Sequence, residues 1–434
     1  MSQRPSTALG ERFLSEALPL VASYFSGEQV PLSVTTVDLG DDVDAEALLF
    51  SNQIRLRHAL ACCTDLVPLI HRIESGVSTV SRIVRTETKG AIRGRLDIPR
   101  YVASRSTSLS WPKTYPVLVT EESPNTPENA LAIRVLHNLQ GRLNATIAPP
   151  KSAEALKAQW YRHWIANRLR RDPWRDVCNS SSLQRLRMET SRRIARRQTG
   201  NEHTYTDLLR LIDDWRLIGS EPGGAVNTDK FTRAFLAFPS DEGFLDRIFE
   251  IWCLRELASA LTRLGARLVD GPRPLTANRL VPIYTFLVEG KQVEVWFQKS
   301  LPKEHARWAY DITGQLLRGI PDITVIANGT NYLLVDAKNR NVQRGTRPEE
   351  TYKILGYFEN FRTLLDDATN WAILSFVSYN GFMQQLTSIG GRKLLLTSAH
   401  PMTHEECSFS SQIDSGLAAW INTWSSFGMR VPSE

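Results

Sequence analysis

The chain has 434 residues, 42% of them hydrophobic and 23% charged, which is enough for two or three globular domains with their own cores. Its 52 Lys and Arg residues exceed its 46 Asp and Glu residues, and the net charge of +6 favours a polyanionic partner. The sequence has no apolar run near 18 residues, no pattern of a secretory signal and no paired framework among its five cysteines, so we expect a cytoplasmic protein without membrane spans.

The N-terminal third, residues 1–150, is predicted to form a mixed α/β domain. Its clearest element is a helix that starts at the sequence Thr126-Pro-Glu-Asn. Thr126 is a suitable N-cap, Pro127 suits the first helical position, and Glu128 belongs in the first turn.

Residues 151–238 are predicted to be helical, with many arginines interleaved with tryptophan and tyrosine. Arginine combined with aromatic side chains is typical of surfaces that bind a phosphate backbone and exposed bases. The alternative is a solvated helix face whose charges pair with acids elsewhere. The candidate substrate-binding residues in this region are Arg170, Arg171, Arg192, Arg193 and Arg196.

Residues 239–395 alternate between helix and strand patterns. Residues 396–434 are predicted to be a C-terminal extension, with a strand at 393–397 and a helix at 416–424. The alternation predicts an α/β core with one mostly buried sheet. Its predicted elements are a helix at 244–264, strands at 282–288, 292–298, 323–327 and 332–336, a helix at 349–361 and a strand at 370–379.

The most informative elements are the two strands joined by the turn signal Asn328-Gly329. Asp322 lies at the head of the first strand, and Asp336 and Lys338 lie at the end of the second. In a hairpin the start of one strand lies near the end of the other, so we expect Asp322 to come close to Asp336. Residues two apart in a strand share a face, roughly 6.6 Å apart, so Lys338 joins Asp336. Carboxylates suit Mg²⁺, and a lysine beside the ion can orient the attacking water, so the pattern predicts hydrolysis of phosphodiesters.

Two other acid-x-Lys triplets lack this context, because the one at Glu87 lies in a polar stretch and the one at Glu289 has glycine at a predicted hairpin turn. The alternative interpretation of Asp336 and Lys338 is a solvated strand end with an ion pair. A further acid is expected on the helix at 244–264. Glu250 stands among apolar residues, where a carboxylate is costly unless paired or metal-bound, and Glu256 competes with it for this role.

The order of these elements, together with Pro321-Asp322 and Asp336-Ala-Lys338, resembles the PD-(D/E)xK nuclease superfamily over residues 240–385. The resemblance implies a restriction-endonuclease-like core with the order α-β-β-β-α-β. Asp322 and Asp336 would bind Mg²⁺, for which Mn²⁺ can substitute. Lys338 would be the catalytic lysine that positions water, and Glu250 would be a third acid at the metal.

The same resemblance gives a role to the helix at 349–361, where Lys353 and Tyr357 form an i,i+4 pair. Many members of the superfamily carry a substrate-contacting helix there, so both residues are candidates for binding substrate. Packing for Tyr357 and a solvated position for Lys353 are the alternatives.

Within the superfamily the chain looks most like the McrC-type restriction proteins. Residues 90–98 and 115–122, followed by the Thr126-Pro-Glu-Asn helix start, match a pattern that those proteins carry ahead of the nuclease. One departure is Asn339, where relatives often have tyrosine after Asp-Ala-Lys. The resemblance adds a third use for the Arg-rich helices, which is docking against a ring of partner subunits.

The resemblance implies a Mg²⁺-dependent DNA endonuclease, the nuclease subunit of a bacterial anti-phage restriction system. McrC-type proteins work with a ring-forming AAA+ type NTPase, so we expect such a partner. The sequence contains no Gly-x-x-x-x-Gly-Lys-Ser/Thr, and we expect this chain to bind no nucleotide itself. The alternatives are a non-catalytic scaffold that binds DNA or couples a motor to it, and a repair or recombination nuclease.

Overall fold

The computed structural model divides into two compact units, one formed by residues 1–58 and 227–434 and the other by residues 59–226. Helices α1 (Thr7–Val21) and α2 (Ala45–Ser75) open the chain, and the division falls within α2. The structure describes residues 7–21, 45–106, 110, 113–146, 152–178, 181–215, 232, 235–236, 242–273, 275, 281–341, 348–377, 383–400 and 409–425.

The unit of residues 59–226 combines a small sheet with a helical bundle. The three strands are antiparallel in the order β1-β3-β2, and apolar residues of the helices, such as Leu136, Leu139 and Leu208, are fully buried. The predicted helix start at Thr126 is confirmed, because its hydroxyl accepts a hydrogen bond from the Asn129 amide. The elements of this unit are β1 (Val80–Lys89), β2 (Arg95–Leu96), α3 (Ile98–Ser106), β3 (Thr114–Ser123), α4 (Pro127–Ala145), α5 (Ala153–Leu169), α6 (Leu183–Ala195) and α7 (Glu202–Asp214).

The other unit is built on an eight-stranded mixed sheet. The strand order is β10-β11-β9-β8-β7-β6-β5-β4, in which β9 runs parallel to both β8 and β11 and the remaining neighbours are antiparallel. Its elements are α8 (Glu242–Arg263), β4 (Arg267–Asp270), β5 (Tyr284–Val288), β6 (Lys291–Phe297), β7 (Ile323–Ala327), β8 (Asn331–Asn341), α9 (Pro348–Asn360), α10 (Arg362–Leu365), β9 (Trp371–Val377), β10 (Met383–Thr387), β11 (Lys393–Ser398) and α11 (Phe409–Trp424).

Helices bury the central strands of this sheet. Ile354 and Phe358 of α9 pack on Leu334 and Leu374 in one apolar cluster, while α8 packs against β8 and α1 packs against α8. Every side chain of β7 and of β9 is buried, as expected for strands that read as continuous apolar runs. The core therefore holds the adjacent ends of β7 and β8 in fixed positions.

A mixed α/β fold was predicted and is confirmed, and the predicted helices and strands of residues 239–379 are all present. The structure adds β4, β10 and β11 to the sheet. Of these, β11 was predicted as a strand, but its position in the sheet was not. The assignment of this unit to the restriction-endonuclease-like core remains a prediction. None of the described helices is long and apolar enough to cross a membrane.

The predicted division into 1–150, 151–238, 239–395 and 396–434 also remains a prediction. Its first two boundaries lie outside the described residues, and residue 395 falls within β11. The two compact units divide the chain differently, because α1 belongs with α8 rather than with residues 59–150. Phe13 of α1 lies 5.1 Å from Phe249 and 5.0 Å from Trp252 between ring centroids, so its apolar face is buried on α8.

Candidate active site

The hairpin of β7 and β8 brings Asp322 next to Asp336, as predicted. Asn328 and Gly329 in its turn have φ values of 53° and 74°, the left-handed conformation that Asn and Gly adopt most readily. The turn fixes a register in which Ile323 pairs with Val335. The residues that precede Ile323 and follow Val335 therefore meet at the same edge of the sheet.

Asp322 is almost completely buried, and the chain around it holds its carboxylate in place. Its Oδ2 accepts a hydrogen bond of 2.8 Å from the Ala337 amide and lies 3.6 Å from Lys338 Nζ. Burial raises the pKa of Asp322 well above its usual range, and the negative charges of Glu250 and Asp336 raise it further. A carboxylate in such a position gains from any additional positive charge.

Asp336 is fully buried between two lysines. Lys353 Nζ donates a hydrogen bond of 2.8 Å to its Oδ1, and Lys338 Nζ lies 2.5 Å from its Oδ2. Burial alone would raise the pKa of Asp336, but the two ammonium groups outweigh it and hold the pKa below its usual range. For Lys338, burial lowers the pKa, but the charges of Asp322 and Asp336 raise it by more, so the pKa lies above its usual value. The contact between Lys338 and Asp336 is therefore an ion pair.

The ammonium of Lys338 occupies a small cradle of oxygen atoms. It lies 2.5 Å from Asp336 Oδ2, 3.4 Å from the Ala337 carbonyl oxygen and 3.6 Å from Asp322 Oδ2. Among the described residues, Asp336 Oδ2 receives no hydrogen bond of normal geometry, so this buried oxygen is stabilised by its ion pair with Lys338 alone. The cradle therefore already accommodates a cation.

This donor set fits Mg²⁺. Mg²⁺ prefers oxygen ligands and commonly binds through one or two carboxylates while keeping waters and substrate phosphate in its other positions. Within the described ranges no three Asp, Glu, His or Cys side chains are grouped to hold a metal. The oxygen atoms of the cradle that could hold the ion belong to Asp322, Asp336 and the Ala337 carbonyl. The role of Glu250 as a third acid at the metal remains a prediction.

Glu250 nevertheless belongs to the same electrostatic group. Its buried Oε2 accepts hydrogen bonds from Arg247 Nη1 at 2.8 Å and from Gln298 Nε2 at 3.1 Å. Burial raises the pKa of Glu250, Arg247 and Lys338 oppose the rise, and Asp336 adds to it. The competitor Glu256 lies instead near Arg255.

Gln298 is a site residue that the sequence did not reveal. Its φ of 50° is unusual for a residue other than glycine. Its main-chain N–H donates a hydrogen bond of 2.8 Å to the main-chain carbonyl oxygen of Asp322. The same residue reaches Glu250 through its side chain, so it joins the β7 and α8 sides of the site. A strained backbone of this kind is typical of positions that the surrounding structure over-determines.

Lys353 and Tyr357 of α9 are both at the site, but they contact protein groups. Lys353 binds Asp336, and the Tyr357 hydroxyl donates a hydrogen bond of 3.0 Å to the carbonyl oxygen of Ile320, two residues before Asp322. The Lys353 ammonium also lies 5.7 Å from the centroid of the Tyr357 ring. In this arrangement α9 supports the two aspartates, and substrate contact by either residue remains a prediction.

The arginines chosen from the helical middle lie in the other unit and differ in environment. Arg170, Arg171, Arg192 and Arg196 are exposed. Arg193 is not, because it binds the fully buried Glu128 carboxylate through hydrogen bonds of 2.9 and 3.2 Å. Arg193 thus has a structural partner in α4, whereas the other four remain candidates for binding a polyanion.

Comparison with known proteins adds little. No family model matches the chain, and no curated protein matches it. One similar solved structure is a half-complex of Thermococcus gammatolerans McrB AAA+ hexamers with bound McrC, at 10% identity over 96% of this chain and 78% of that chain, with a TM-score of 0.28. A TM-score of this size shows neither a shared fold nor a shared function.

Proposed function

We propose that this chain is a Mg²⁺-dependent DNA endonuclease that hydrolyses phosphodiester bonds at Asp322, Asp336 and Lys338. The observation that carries the proposal is the cradle at the ends of β7 and β8, where two buried carboxylates and a main-chain carbonyl lie within 3.6 Å of one ammonium nitrogen. Burying like charges in this way is costly for folding alone, and such arrangements cluster at functional sites.

The chemistry divides between the ion and the protein. When bound by Asp322 and Asp336, Mg²⁺ would act as a Lewis acid on the phosphate and stabilise developing negative charge. Lys338 reaches the cradle on a flexible stem, so it can swing aside and donate hydrogen bonds to water or to a phosphate oxygen. Lys353 keeps Asp336 ionised, and Arg247 and Gln298 hold Glu250 behind the pair.

The proposal extends to a context. We infer that the chain is the nuclease subunit of a bacterial anti-phage restriction system and works with an AAA+ type NTPase partner. The support is the sequence pattern of residues 90–98 and 115–122 with the Thr126 helix start, together with the resemblance of Pro321-Asp322 and Asp336-Ala-Lys338. The net charge of +6 and the four exposed arginines suit DNA as substrate.

Plasmid cleavage by the purified full chain tests this proposal. Wild type should cut the plasmid in Mg²⁺ or Mn²⁺ and not in EDTA. Lys338→Ala should not cut the plasmid in any of these conditions. Adding the NTPase encoded next to this gene, with its nucleotide, separates a motor-coupled enzyme from an autonomous one. If both proteins bind DNA and neither cuts any form of it under any of these conditions, the non-catalytic scaffold replaces the nuclease.

A further inference from the structure

The segment between β6 and β7 contains a β-hairpin that ends five residues before Asp322 in the chain. Residues 308–317, called here the 308–317 hairpin, pair through Leu317 N to Trp308 O at 2.7 Å and Tyr310 N to Gln315 O at 2.9 Å. Ala309 and Leu316 form the bridge between these pairs. Gly314, with a φ of 65°, helps close the turn by donating to the Tyr310 carbonyl at 2.8 Å.

The 308–317 hairpin exposes large apolar side chains instead of burying them. Trp308 is 60% exposed, Tyr310 58% and Ile312, in the turn, 99%. Opposite residues of a hairpin share a face, so the pairing places Leu317 beside Trp308, and Leu317 is also exposed. A two-stranded hairpin is marginal in water, and a contiguous exposed apolar patch of this kind marks an interaction site.

One buried side chain fixes the base of the hairpin to the helix that supports the site. Asn360 Oδ1 accepts hydrogen bonds from the amides of Arg307 at 3.1 Å and Trp308 at 2.9 Å, and its Nδ2 donates to the Leu317 carbonyl oxygen at 2.8 Å. Both strands of the hairpin are thereby clamped at the last residue of α9. The direction in which the hairpin projects is therefore set by Asn360 at its base.

The same helix gives the spacing between hairpin and site. Lys353, which binds Asp336, and Asn360, which holds the hairpin, are seven residues apart on α9, or about 10 Å at the helical rise of 1.5 Å per residue. A nucleic acid strand advances about 3.4 Å per nucleotide. For a DNA strand that runs along α9, the base of the hairpin lies about three nucleotides from a phosphate bound at Asp336.

We propose that the 308–317 hairpin binds the DNA strand about three nucleotides from the scissile phosphate, an inference that rests on the proposed nuclease function. Trp308 and Tyr310 offer planar rings on which bases stack, and Ile312 is an apolar tip of the kind that wedges between base steps. Arg307, which also pairs with Glu359 at 2.9 Å, and Arg318 flank the hairpin on both strands and are exposed, so phosphates of the same strand can reach them. Basic residues at the base with aromatic residues toward the tip match the chemistry of a nucleic acid strand.

DNA binding by hairpin variants tests the inference. The probe is a fluorescein-labelled DNA, as a duplex and as a single strand, and its anisotropy is measured with full-length proteins that also carry Lys338→Ala to prevent cutting. Trp308→Ala with Tyr310→Ala should weaken binding about tenfold or more, because each stacked base contributes that much. Ile312→Ser should weaken it severalfold.

Ile389→Ser is the matched control. Ile389 lies in the turn between β10 and β11 and is fully exposed like Ile312, so both variants make the same change at a turn. Ile389→Ser should leave binding unchanged. Exposed substitutions alter stability little, so all variants should keep the melting temperature of the Lys338→Ala parent protein.

Position is tested by crosslinking. 5-Iodouracil placed in turn along the labelled strand should crosslink to the hairpin about three nucleotides from the cut and not on the far side of it. If wild type cuts DNA, but the hairpin variants bind DNA as the Lys338→Ala parent does and the same changes made without Lys338→Ala cut as wild type does, the inference is overturned and the nuclease stands. It is also overturned if these variants lose only stimulation by an NTPase partner. If wild type neither binds nor cuts any DNA, the proposed function fails and the inference falls with it.

Discussion

Replacing Lys338 with methionine separates the structural role of its ammonium from its proposed catalytic role. The ammonium lies 2.5 Å from the fully buried Asp336 and only 20% of the Lys338 side chain is exposed, so the ion pair is largely shielded from water. Lys338→Met leaves the stem in place and removes the charge. The carboxylates then lose the cation that occupies their cradle.

The expected loss of stability follows from the remaining partners. Removing one member of a buried ion pair costs about 3–5 kcal/mol, but Asp336 retains Lys353 at 2.8 Å, so we expect about 2 kcal/mol in the absence of metal. Mg²⁺ should compensate for this loss, because in the variant it binds a cradle that holds no ammonium to displace. Saturating Mg²⁺ should therefore stabilise Lys338→Met more than wild type, by about the same 2 kcal/mol.

The assay is urea unfolding of both proteins in EDTA and in saturating Mg²⁺. Arg267→Met is the matched control, because it removes one positive charge from an exposed position on β4 of the same sheet. The control should match wild type in both conditions. The reasoning is refuted if Lys338→Met is as stable as the control in EDTA, or if Mg²⁺ stabilises wild type and Lys338→Met equally.

Two further predictions concern the fold. Arg193→Ala should destabilise its unit by about 3–5 kcal/mol, since it strands the buried Glu128 carboxylate, whereas exposed Arg192→Ala should stay within about 0.5 kcal/mol; equal effects in urea unfolding would contradict the assigned partner. Gly319→Ala should cost about 1–3 kcal/mol and lower any cleavage rate, because a Cβ there would lie 2.4 Å from Phe361 Cε2. A Gly319→Ala protein with unchanged unfolding would show that the ring moves freely.

The proposed catalytic pair could be located from the sequence because local signals determine it. Asn328-Gly329 sets the turn, the apolar runs on either side set the strands, and the hairpin register then places Asp322 beside Asp336. The position of Lys338 follows from the two-residue period of the same strand. All of these signals lie within seventeen residues of chain.

The remaining features depend on contacts between distant parts of the chain. Glu128 and Arg193 are 65 residues apart, and nothing in either segment marks the other as its partner. The left-handed backbone of Gln298 is imposed by its bonds to Asp322 and Glu250, since glutamine has no preference for that conformation.

Two whole elements were missed for the same reason. In the 308–317 hairpin large apolar residues alternate only from Trp308 to Ile312, and its base is held by Asn360 of α9, which no local pattern indicates. Helix α1 carries an apolar face that any hydrophobic surface could bury, and only the folded unit shows that α8 provides it.

The measurement that tests the account most directly is the single-turnover cleavage rate of labelled DNA by Asp336→Asn in Mg²⁺. Glu289→Gln is its control, because Glu289 is the acid of another acid-x-Lys triplet, exposed in the β5–β6 turn of the same sheet. The account predicts that Asp336→Asn loses at least about 10²-fold in rate while Glu289→Gln cuts as wild type does. Undiminished cleavage by Asp336→Asn would contradict it, since the cradle at β7 and β8 would then not be where DNA is cut.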